Sequence, residues 1–76
     1  MAKPALVKQA LEVASPAQLI RVRAILVKYR KEVEEGGFEG NQLVVNRAIE
    51  AFDAREFDSP EVANLLPDEA LGEALR

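Results

Sequence analysis

Cysteine, histidine, threonine and tryptophan are all absent from this chain. Without cysteine there is no disulfide framework, no thiolate nucleophile and no thiolate-bound zinc. Without histidine the commonest general base and metal ligand is missing as well. Long apolar runs are also missing. The longest uncharged stretch, Val13 to Ile20, has eight residues, whereas a bilayer span takes about 20. Lys3, Lys8 and Glu12 interrupt the apolar positions of Met1 to Ala14, so that segment has no continuous apolar core of a secretory signal. The expectation is a cytoplasmic chain with no membrane segment, in keeping with the missing cysteines.

What remains suits one small soluble domain. The 76 residues are 49% hydrophobic and 30% charged with a net charge of −3, too apolar and too nearly neutral for a wholly disordered chain. A domain of this size buries only about 60% of the surface its unfolded chain exposes, so its own core gives it a thin margin of stability.

Two Ser-Pro pairs punctuate the chain, Ser15-Pro16 and Ser59-Pro60. Each reads as an N-cap serine followed by proline at the first helical position, where a missing N–H does no harm. Gln18, three residues after Ser15, completes a capping-box pattern. The spacing predicts a long helix over 16–35, stopped by Gly36-Gly37. Before it, Leu6, Val7, Ala10, Leu11 and Ala14 lie on one stripe of a helix over 4–14. After the Gly36–Gly40 turn, Asn41 is the expected N-cap of a helix over 41–56 that carries Val44, Val45, Ala48, Ile49 and Phe52 on one face. Leu43-Val44-Val45 has β-branched character, but three residues do not overrule the longer period. Short helices are expected over 60–66 and 67–75, with Gly72 weakening the second. The fold class expected is all-α: a small helical bundle of three main helices with one or two short C-terminal helices, open to completion by oligomerisation.

The long helix has two apolar stripes. Leu19, Val22, Leu26, Tyr29 and Val33 follow the three-four spacing that sets one helix against another. Ile20, Ala24 and Val27 form a narrower stripe on roughly the opposite face. This predicts neighbours on both sides, either the first and third helices or a second copy of the chain.

Charge is sharply divided: residues 1–31 sum to +6 and residues 32–76 to −9. Arg21, Arg23, Lys28, Arg30 and Lys31 have no acid between them. Three readings compete: a solvated face balanced by the protein's own acids, an anion-binding site, and a membrane-surface helix. The first is favoured. Arg23 and Arg30 fall on one border of the main apolar stripe and Arg21 and Lys28 on the other, a split that disfavours a nucleic-acid helix. Arg23 or Arg30 is expected to meet Asp53 or Glu56 of the third helix. Glu32, Glu34 and Glu35 occupy the last turn, where the helix dipole disfavours acids, and their pairings with Lys28, Arg30 and Lys31 run in the weaker basic-before-acidic order.

The chemistry found along the chain is sparse. Gly36-Gly37-Phe38-Glu39-Gly40-Asn41 lacks the Lys-Ser/Thr of a phosphate loop, and Glu39 would repel phosphate. A helix-turn-helix reading offers Arg47 against Glu50 on the would-be recognition helix, with Gln42 and Asn46 as polar surface. The hydroxyls are Ser15, Ser59 and Tyr29, and both serines serve as caps. Glu32, Glu34, Glu35 and Glu39 lack calcium-loop spacing. No catalytic, cofactor or metal residues are assigned, and the chain is expected not to be an enzyme.

The reading that follows is a non-enzymatic protein–protein interaction module, a small regulator, adaptor or assembly component, binding through helix surfaces. Its candidate contact set is Leu65, Leu66, Leu71, Leu75, Asp68 and Glu69, because these leucines exceed what a one-turn cap needs and amphipathic tails dock into grooves. Docking of the same tail on its own bundle is the equal alternative. A protein partner and a homo-oligomer are expected. The second class is nucleic-acid binding through Lys3, Lys8, Arg21, Lys28 and Lys31.

Overall fold

Five helices follow one another in the computed structural model, which describes residues 3–36 and 39–76, the side chains of 39–41 excepted. They are α1 (Lys3–Glu12), α2 (Pro16–Gly36), α3 (Glu39–Asp53), α4 (Pro60–Asn64) and α5 (Asp68–Ala74). The all-α expectation holds among the described residues.

Local chemistry sets most of the helix ends. The capping box forms as expected: Ser15 N–H donates to Gln18 Oε1 at 2.8 Å and Gln18 N–H to Ser15 Oγ at 3.2 Å. α1 therefore stops at Glu12, two residues before the predicted end, because Ser15 must leave the helical region to precede Pro16. α3 begins at Glu39, which places Asn41 inside its first turn rather than at the cap. The other half of the Gly36-Gly37 stop, Gly37, lies outside the described residues.

At its far end α3 stops three residues before the predicted Glu56. Arg55 takes a left-handed conformation with φ 64°. Its N–H reaches Phe52 O at 3.0 Å, and Glu56 N–H reaches Ala51 O at 2.8 Å. That is the bond pattern of a Schellman close, usually built on glycine. Ser59 sits at the N-cap of α4 but makes no side-chain cap bond. Its hydroxyl donates to Glu61 Oε2 at 2.9 Å instead.

Every helix contributes to one core. Val7 and Leu11 of α1, Val22, Leu26 and Val33 of α2, Val45, Ala48, Ile49 and Phe52 of α3, Val62 and Ala63 of α4, and Ala74 of α5 are buried, together with Phe57 and Leu66 from the connections. Phe52 and Phe57 pack tilted, with ring centroids 5.4 Å apart, a favoured aromatic geometry. α3 lies along α2, α4 against α3, α5 against α2, and α1 against α4. The expected flanking of α2 by the first and third helices is thus half right. α3 is there, but the other main neighbour is α5, because Gln18 Nε2–H donates to Leu75 O at 2.8 Å and ties the chain end to the start of α2.

Candidate functional site

The predicted contact set in the tail is largely spent on the molecule's own core. Leu66 is completely buried, which removes it from any exterior surface, and Leu65, Leu71 and Leu75 are half-buried against the core. Asp68 and Glu69 are exposed, and Asp68 Oδ1 lies 3.8 Å from Lys3 Nζ. The tail is amphipathic, so its apolar side first closes the bundle that its own chain builds.

The basic set is placed differently. Lys8, Arg21, Lys28 and Lys31 are exposed; Lys3 faces Asp68, and Arg21 Nη2 approaches Arg76 O at 3.4 Å. Among the described residues none of the pairs Lys28–Glu32, Arg30–Glu34 and Lys31–Glu35 closes to within 4 Å.

The expected cross-helix ion pair is present. Arg23 Nε–H donates to Asp53 Oδ1 at 2.8 Å and Nη2–H to Oδ2 at 3.0 Å, a bidentate bridge between α2 and α3. The guanidinium, by this hydrogen bond and its charge, holds the Asp53 carboxyl below its ordinary range, helped by the charge of Arg55. Glu61 is likewise held low, by its own backbone N–H, the Ser59 hydroxyl and the charge of Arg47.

The second apolar stripe of α2 finds no cover among the described residues. Ile20 is 70% exposed, Ala24 is exposed, and Val27 is only half-buried. At 100° per residue, Ile20, Ala24, Val27 and Lys31 fall within about 60° of one another. Arg23 and Arg30 edge that strip on one side, Arg21 and Lys28 on the other. The cations thus stay divided between two sides, with the open strip between them. Once the main stripe is buried, both of its borders open onto the same outward side of α2.

Two adjoining hollows follow this strip. One of about 330 Å³ lies between the start of α2 and the end of α3, walled by Leu19, Ile20, Phe52 and the Arg23–Asp53 bridge, with Arg55 at its rim. The other is a shallow, open face along Ile20, Arg23, Ala24 and Val27 of α2 itself. Ile20, Ala24 and Val27 stand out in the sequence as a stripe, but nothing there says that no neighbour would arrive. Arg55 carries no sequence signal at all, since no glycine marks the turn that presents it.

No helix among the described residues is long and apolar enough to cross a membrane, and no group of three or more acidic residues there is placed to hold a metal ion. No family model, curated protein or solved structure matches this chain.

Proposed function

We propose that the chain is a non-enzymatic protein-interaction module that works through helix surfaces, with the outward face of α2 as its docking surface. The observation that carries this reading is Ile20, 70% exposed at the start of an apolar strip that the five-helix bundle leaves open. Single exposed apolar residues are ordinary, whereas a strip with adjoining hollows marks a place where something else is meant to sit. Two of the hydroxyls point the same way, because Ser15 Oγ is engaged in capping and Ser59 Oγ in a bond to Glu61. Association of two copies through this strip is the competing form of the reading, and it would bring arginines and lysines of like sign together.

The test is the state of the tagged protein purified from its source cell after nuclease treatment and sized by light scattering. Wild type is expected in a nuclease-resistant complex with another protein, and Ile20→Glu and Ala24→Arg are expected as the free chain. Complexes that survive both substitutions, that dissolve with nuclease, or that never form overturn the proposal.

A further inference from the structure

We infer that the occupant of the outward face of α2 is an acidic amphipathic helix of a partner protein. This rests on the reading of that face as a docking surface and adds the chemistry of what docks. Size and shape come first. α2 is 21 residues long, so at about 1.5 Å per residue it offers a rod of about 30 Å, long enough for a helix to lie along. Ile20, Ala24 and Val27 recur at i, i+4 and i+7, the spacing at which a facing helix sets its own apolar residues. Ala24, in the middle, is small enough to let a second backbone come close.

Charge then selects among occupants. Arg21, Lys28 and Lys31 are exposed around the strip, and between residues 13 and 31 the chain has no acid. Of the acids on this side, Asp53 is already taken by both nitrogens of Arg23, and Glu34 and Glu35 lie beyond Lys31 in the last turn of α2, past the end of the apolar strip. Arg55 adds a further cation at the end of the hollow, and it does so at φ 64°, where a side chain is strained and glycine would be at ease. Its guanidinium stands 5.9 Å above the Phe57 ring, which fixes the charge near the rim. Over residues 20–31 a facing segment therefore meets Arg21, Lys28 and Lys31 around an apolar surface, with Arg55 at its end. Carboxylates flanking an apolar stripe complement that pattern. A second α2 centred on the strip sets its own Arg21 beside Lys28, which electrostatics opposes, and a shifted antiparallel register that met Arg21 with Glu34 would leave Ile20 facing Glu35 and Ala24 facing Lys31. Nucleic acid would use the cations but leave the apolar strip and hollows unfilled, because phosphate contacts run along a charged backbone.

Fluorescence anisotropy with designed probes decides it. The first probe is a labelled helical peptide as long as α2, with leucines at i, i+4 and i+7 and glutamates flanking them. The second replaces the glutamates with lysines, the third scrambles the acidic peptide so that no apolar stripe survives, and the fourth is a DNA duplex of similar length. The acidic amphipathic peptide is expected to bind about tenfold or more tightly than any of the others. The combined variant Arg21→Glu, Lys28→Glu and Lys31→Glu, all at exposed positions, is expected to reverse the preference in favour of the lysine peptide. Equal binding of the lysine or scrambled peptide overturns the inference, as does tighter binding of DNA or a strip already filled by a second copy. Run on the native complex, the same variants separate the two claims. Loss of the complex with Ala24→Arg but not with charge reversal leaves the docking face standing and rejects an acidic partner, and loss with neither rejects the face itself.

Discussion

Asp53 is held by two hydrogen bonds from one guanidinium, and that geometry has a pH signature. Its folded carboxyl binds a proton less readily than the unfolded one, whose pKa lies near about 3.9. The stabilisation is therefore complete above that value and is lost as pH falls through the lower folded value. Asp53→Asn, compared with wild type by urea unfolding, is expected to be less stable at pH 6, with a gap that narrows as pH falls below about 4. The gap is small because both side chains are about half exposed. A gap that does not change across this range would show that the bridge contributes nothing. The pair itself was legible in the sequence, because two border positions of opposite sign on facing helices have few other partners. Arg55 was not, since left-handed backbone is announced by glycine and asparagine and here the residue is neither.

Helix starts were read well wherever a side chain closes on its own backbone, as Ser15 and Gln18 do. Ends were read less well, for α1 and α3 stop early for reasons that reside in the following residues. Helix pairing was the least legible. Gln18 shows why: its capping role follows from spacing, but its second bond, from Nε2–H to Leu75 O across the chain, has no local signal. Gln18→Glu keeps an acceptor for the Ser15 N–H and removes the donor to Leu75. Hydrogen exchange at the Leu71 and Leu75 amides is expected to speed up by about two- to tenfold, the net worth of one such bond, while the Leu19 amide, in the first turn of α2, keeps its protection. Unchanged exchange in α5, or equal loss in both places, would show that the bond is not what seats the tail.

At the scale of the whole chain, all five helices feed one core, so unfolding should be a single event. Leu66 is among the largest side chains with no exposure. Leu66→Ala is expected to cost about 2–5 kcal/mol, a large share of what so small a domain has to lose. Far-UV ellipticity and Tyr29 fluorescence should still move together on heating. A cost under about 1 kcal/mol, or Tyr29 changing ahead of the helices, would divide the molecule into separate units. That the chain is helical and built around α2 could be foreseen from periodicity. Which face of α2 stays open could not, because it depends on α5 returning from the far end of the sequence.

α1 rests on α4, and the segment 13–59 lies between them. On a ribosome adding about 5–20 residues each second, the first helix emerges seconds before the surface that shelters Val7 and Leu11 has been made. Though made before its partner, α1 is thus among the last elements to find its seat, and a stop codon anywhere before residue 60 would leave it with none.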